Sequence, residues 1–173
     1  LGGFPDDFYL KEADTPTGLQ VALDREEYPW IDAVPGVFSE NVLELNDLDG
    51  WGTTAGAFLR FSGPVTGFVD GVPDSEETTR LMLVELGPDG PVRVPYEVRH
   101  TDEDNTVMVI PLRPMREKTR HAVILTTEHK ADDGKCIAPG PALESVLDGT
   151  AEDPRLVALV PRFAELLEAT GLK

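Results

Sequence analysis

The sequence predicts a mainly β protein: an antiparallel β-sandwich with an irregular N-terminal segment over residues 1–140, then a helical extension over residues 141–173. Three observations carry this. Strand-like segments recur at roughly 10–20-residue spacing between residues 53 and 134, with turn signals between them. No helix-length segment intervenes there, and parallel pairing would demand long crossovers. After Pro141 the apolar period changes from two to helical.

The first 40 residues are irregular. Thr15-Pro16-Thr17-Gly18 marks a turn before a short strand over residues 19–23. Trp30, Val34, Val37 and Phe38 are expected as loop anchors packed on the core. Val42, Leu43, Leu45 and Leu48 suit a turn or two of helix that Asp49-Gly50 ends. Residues 57–61 form the first clear strand, stopped by Gly63-Pro64. Residues 65–78 read as a long loop or ragged hairpin arm. Residues 81–86 are apolar on both faces and therefore central. Gly87-Pro88-Asp89-Gly90 is a turn, because Pro fixes φ and Gly permits positive φ.

Val92, Val94, Tyr96 and Val98 alternate with polar residues, which predicts one strand with a wet face. Pro95 marks an edge or a bulge in it. Residues 101–105 turn the chain, and residues 107–110 and 122–125 are two more strands, the latter ended by Asp132-Asp133-Gly134. Leu83, Val84, Val109 and Ile124 are the expected core. Pro141 opens a short helix that Gly149 stops. Asp153 caps a second, with Pro154 at its first position. Leu156, Leu159, Val160, Phe163, Leu166 and Leu167 form its apolar stripe. Pro161 predicts a kink or break, and Gly171 a cap.

The 173 residues carry 32 Asp and Glu against 15 Lys and Arg, a formal charge of −17. That balance repels nucleic-acid phosphates and anionic membranes. No run of about 18 apolar residues exists to span a bilayer. The spread of acids predicts a soluble monomer with a solvated surface. The single cysteine, Cys136, excludes an internal disulfide. It is expected to be a buried or semi-buried bystander. The chain opens on Leu1, so it is expected to be a piece of a longer protein.

Candidate chemistry is sparse. None of Ser39, Ser62, Ser75 and Ser145 lies in Gly-x-Ser-x-Gly, the turn that exposes a hydrolase nucleophile. No catalytic residue and no cofactor is therefore predicted. His121 and His129, on one extended segment, would stand about 26 Å apart and share no metal. Asn46-Asp47-Leu48-Asp49-Gly50 suits part of an oxygen-ligand loop, making Asp47 and Asp49 the calcium candidates. The twelfth loop position is Ala57 rather than a bidentate Glu. Asp102-Glu103-Asp104-Asn105 and Asp132-Asp133 are further acidic turns.

The stretch Leu112-Arg113-Pro114-Met115-Arg116-Glu117-Lys118-Thr119-Arg120-His121-Ala122-Val123-Ile124-Leu125-Thr126-Thr127 resembles the penultimate-strand signature of bacterial Ig-like domains: Leu-x-Pro, a short gap, then Thr and an alternating strand. His121 stands where those domains usually carry Tyr. Phe4-Pro5-Asp6-Asp7, Leu45-Asn46-Asp47-Leu48-Asp49-Gly50-Trp51-Gly52-Thr53-Thr54, Phe61-Ser62-Gly63-Pro64 and Leu147-Asp148-Gly149-Thr150 add to the likeness. Together they look like the N-terminal region of large exported bacterial proteins, including secreted or surface lipases. The resemblance implies a non-catalytic, Ig-like accessory or spacer domain, exported, whose partner is the neighbouring domain of its own parent chain. The alternative is a carbohydrate- or surface-binding sandwich, steadied by calcium where Asp47 and Asp49 bind it, with Trp30, Trp51, Tyr9, Tyr28 and Phe68 as its aromatic candidates. A small stand-alone hydrolase is the remaining rival.

Overall fold

The computed structural model describes residues 3–33, 35–65, 67–74, 80–101 and 105–172. Among them the protein is mostly β, with antiparallel sheets and a few short helices. The chain divides into two units, Asp6–Gly52 and Leu1–Pro5 with Thr53–Lys173.

In the smaller unit, β2 (Leu10–Glu12) and β3 (Leu19–Val21) form a hairpin with Leu10 opposite Val21. Gly18 (φ 77°) supplies the turn, and Thr15 Oγ1 donates to the Leu19 carbonyl at 2.6 Å. Two helices follow, α1 (Trp30–Ala33) and α2 (Gly36–Glu44), then a 3-10 turn, Leu45–Asp47. Val21, Leu23, Tyr28 and Ile31 are buried, and Phe8, Tyr9, Leu10, Val42, Leu43, Leu45 and Trp51 pack around them.

The expectation of loop anchors fails here. Trp30 and Phe38 lie on helices and are 44% and 58% exposed. Val34 and the Val37 side chain lie outside the described residues. The phase of α2 turns Ser39 inward, so Phe38, one residue away, points out.

Asp6 accepts a hydrogen bond from Phe8 N at 2.8 Å. Burial, aided by the charge of Asp7, nevertheless pushes its carboxyl above the usual range. A raised carboxylate favours the fold in acid and loses that contribution as pH rises through the folded value. Asp6→Asn keeps the acceptor and removes the charge. It is therefore expected to melt above the wild type at pH 7, the gap closing below about pH 4. Thermal melts across pH check this.

The larger unit holds two antiparallel sheets. One runs β1 (Gly3–Phe4), β4 (Ala57–Arg60), β8 (Thr106–Pro111), β7 (Tyr96–Thr101). The other runs β6 (Gly90–Arg93), β5 (Leu81–Gly87), β9 (Arg120–Leu125). The expected turn joins β5 to β6, with Gly87 opposite Gly90 and Gly90 at φ 104°. Of the turn expected at 101–105, residues 102–104 lie outside the described residues, as do 66 and 75–79 of the expected loop.

The single strand expected over Val92, Val94, Tyr96 and Val98 is two strands in two different sheets. Pro95 has no N–H to continue a ladder, so the chain leaves β6 there and enters β7. Val94 N still donates to the Leu83 carbonyl, and the Pro95 carbonyl accepts from Leu112 N, both at 2.9 Å. Val94, Tyr96 and Val98 all face the same buried cluster, which is why their alternation reads as one strand.

That cluster draws on both sheets: Leu81 and Leu83 from β5, Tyr96 and Val98 from β7, and Val107 and Val109 from β8, with Val65 and Val94. The Tyr96 hydroxyl donates to the Leu81 carbonyl, tying β7 to β5. Leu83, Val84 and Val109 are buried as expected. Ile124 is only half-buried, because β9 pairs with β5 alone and forms a sheet edge.

Two helices end the chain, α3 (Pro141–Leu147) and α4 (Pro154–Thr170). Asp153 Oδ1 caps α4 at Arg155 N (2.9 Å), and Gly171 closes it at φ 68°. Of the kink or break expected at Pro161, the break is absent: α4 is one helix of 17 residues with Pro161 inside it. Pro161 offers no N–H to the Val157 carbonyl, but both residues lie on the exposed side, where solvent has access to it. Leu159 is buried, and the rest of the stripe is half-buried. The helix packs on α3 and touches β6. Arg120 pairs with Glu165 at 2.6 Å and holds its carboxyl below the usual range.

Candidate functional site

Side chains alternate along β5, so Leu81, Leu83 and Glu85 share the face that lines the common core. Glu85 is thus a carboxylate at one end of an apolar layer, 3% exposed. Its cross-strand neighbour on β9 is His121. Arg116, from the β8–β9 connection, brings Nε to 3.0 Å from Glu85 Oε1. His121 Nε2 stands 3.6 Å from Oε2, shielded from solvent and without a hydrogen bond among the described residues. An imidazole therefore faces a buried acid here.

Chemically this is a neutralised carboxylate, since Arg116 supplies the charge that makes burial tolerable. Arg116→Met is expected to cost about 1–3 kcal/mol, because it leaves Glu85 without its cation. Adding Glu85→Gln to that variant should recover part of the loss, as read by urea unfolding. A double variant less stable than Arg116→Met would refute the ion pair.

The other histidines lie elsewhere. β9 ends at Leu125, so His129 is not on the strand of His121; its N–H donates to the Thr126 carbonyl in a turn. His129 is 4% exposed and stacks on Phe68, centroids 3.9 Å apart, while His100 lies 6.0 Å from the same ring. The hydroxyls of Ser39 and Ser145 donate to helix carbonyls at Gly36 and Ala142. Ser62 is exposed, and Ser75 lies outside the described residues. Cys136 is exposed rather than buried, with Lys130 Nζ 2.9 Å from its sulfur, because it closes a short surface hairpin opposite Lys130.

The calcium candidates sit in a segment already engaged in folding. Asn46 Oδ1 accepts from Leu23 N at 2.7 Å, and Asn46 Nδ2 donates to the Leu23 carbonyl at 2.9 Å. Gln20 Nε2 donates to the Asn46 carbonyl, and Thr17 Oγ1 to that of Asp49. Asp47 is exposed and Asp49 half-buried. Among the described residues, no three of His, Cys, Asp and Glu converge as metal ligands. Of the other acidic turns, 102–104 lie outside the described residues. Millimolar calcium is expected to shift the melting temperature no more than NaCl of equal ionic strength. A saturable calcium-specific rise, lost in Asp47→Asn or Asp49→Asn, would overturn this; at a hundredfold excess over Kd it would amount to about 2.7 kcal/mol.

No family model, curated protein or solved structure matches this chain. The site residues therefore stand on geometry alone.

Of the five aromatic candidates for a carbohydrate platform, Trp30 alone is exposed. Tyr28 is buried, Tyr9 and Trp51 pack on the smaller unit's core, and Phe68 is stacked on His129. A groove of about 250 Å³, lined by Val72, Met82, Arg93 and Tyr96 among others, opens beside β5 and β6. No helix among the described residues is long and apolar enough to cross a membrane. Sequence reasoning missed Glu85, whose signal was a lone carboxylate inside the run Leu81-Met82-Leu83-Val84-Glu85-Leu86. Arg116 carries no local signal, because only the path of the β8–β9 connection brings it there.

Proposed function

We propose that this chain is a non-catalytic Ig-like accessory or spacer domain of an exported bacterial protein, preceding a hydrolase domain of the lipase kind. The observation that carries the reading is the crossing at Val94-Pro95, which passes the chain from one antiparallel sheet to the other around one core. Connections that pass between two antiparallel sheets, and a shared inner layer, suit a sandwich of the Ig-like kind. The motif likeness over residues 112–127 supports the same assignment, and export and the lipase-like neighbour rest on it. Fold alone does not give function, so the neighbouring domain is the part of the reading most in need of a test.

The purified chain is expected to leave short-chain acyl esters at the buffer rate and to take up no fluorophosphonate. Deleting it from the parent protein should lower the yield and heat resistance of the secreted product while leaving turnover of a soluble ester unchanged. Stoichiometric serine labelling of this chain, or loss of turnover on its deletion with the remainder still folded, would overturn the reading.

A further inference from the structure

Helix α2 follows ordinary amphipathic packing except at two neighbouring positions, Phe38 and Ser39. Its inward face carries Ser39, 5% exposed, beside Val42 and Leu43, and its outward face carries Phe38 with Glu40, Asn41 and Glu44. The buried serine is satisfied by donating to the Gly36 carbonyl at 3.0 Å. Phe38 thus leaves in water an aromatic surface whose burial would be favourable. A sequence that breaks a local rule in this way commonly does so at a functional surface. On α1 a second aromatic, Trp30, is likewise exposed, beside buried Ile31.

Charge decides what such a surface admits. Residues 6–52 contain twelve Asp and Glu against two basic residues, Lys11 and Arg25, hence a net −10. Arg25 is already held by Asp32 of α1 at 2.8 Å and Glu40 of α2 at 2.6 Å, joining the two helices into one acidic surface. Asp24, Glu26, Glu27 and Glu44 add exposed carboxylates. Nucleic acid and anionic lipid are repelled. A protein segment with apolar side chains on one face and Lys or Arg on the other matches both features, since aromatic anchors supply contact area and carboxylates steer the basic rim.

We propose that the α1–α2 surface, with Trp30 and Phe38 as anchors, docks a basic amphipathic segment of a partner protein. The inference does not depend on the Ig-like reading, and either can fail while the other stands.

The probe is a labelled synthetic helical peptide with Leu on one face and Lys on the other, titrated into the full chain by fluorescence anisotropy. Its twin carries Glu in place of Lys. Saturable binding of the Lys peptide, weakening with salt, and none of the twin are expected. Trp30→Ala/Phe38→Ala should weaken binding about tenfold or more. Phe38→Gln, which keeps bulk at an exposed helical position, should weaken it in the same direction. Val69→Ala/Val72→Ala, at exposed apolar residues of the other unit, should leave it unchanged. Circular dichroism confirms that each variant is folded. Equal binding by the Trp30/Phe38 variant would reduce the effect to adsorption on net charge. Equal binding by the twin, or no saturable binding, would also overturn the proposal.

Discussion

Leu83→Ala is expected to destabilise the larger unit by about 2–5 kcal/mol, and Ile124→Ala by about half as much. Both delete a branched aliphatic side chain from the same three-stranded sheet. Leu83 lies on the central strand, 5% exposed, inside the cluster that both sheets line. Its removal leaves a cavity bounded by β-strands on two sides, which relax little. Ile124 points to the opposite face of an edge strand and is half-buried, so water already covers part of what its truncation exposes. In a unit of this size one kcal/mol moves the melting temperature by roughly 3 °C. Leu83→Ala should therefore melt about 10 °C below wild type, Ile124→Ala markedly closer to it. Equal shifts would show that β9 is not an edge, and a negligible shift for Leu83→Ala would refute the shared core.

That contrast also shows what was legible in the sequence. Local chemistry was: Gly87-Pro88-Asp89-Gly90 closes the β5–β6 hairpin, and Asp153, Pro154 and Gly171 bound α4. These features need only neighbouring residues to act. Period-two alternation identified inward residues but not the sheet they belong to, because Val94 and Tyr96 face one core from two sheets. Ile124 was misjudged for the same reason, since edge or centre depends on pairing between distant strands. Residues 30–38 read as loop, because α2 has a serine where its inward stripe should be apolar; the helical turn expected over residues 42–48 is the end of α2 and the 3-10 turn after it. The site suffered most: Glu85 and His121 meet through β5–β9 register and Arg116 reaches Glu85 from the β8–β9 connection, and no local window contains either. Pro161 does not break α4, because the carbonyl it leaves without its N–H belongs to the exposed side of the helix.

Removing residues 154–173 is expected to leave the larger unit barely stable. Leu159 is fully buried, and Leu156, Val160, Phe163, Leu166 and Leu167 are half-buried. A buried side chain of this kind contributes about 1.5–3 kcal/mol and a half-buried one proportionately less, so the stripe amounts to roughly 5–10 kcal/mol. Whole domains are stable by only about 5–15 kcal/mol. The truncation also uncovers Val146 of α3, 1% exposed, and frees Arg120 from Glu165. By alternation Arg120 lies on the face of β9 opposite the core, as Met82 and Val84 do on β5. The helix therefore covers the outer side of the sheet, which helps explain a central strand buried on both faces. Glu165 adds a pH signature. Its lowered carboxyl contributes stability above the ordinary carboxylate value and loses it as pH falls through the lowered one. Wild type should lose that contribution in acid, whereas Glu165→Gln should lack it throughout. The truncated chain should bind a hydrophobic dye and self-associate, and Leu159→Ala alone should move part of the way, by about 2–5 kcal/mol. A truncated chain that stays monomeric, with unchanged melting temperature and dye binding, would make the segment a free linker. It could then not hold a following domain at a fixed angle to the sheet, and the spacer role would lose its physical basis.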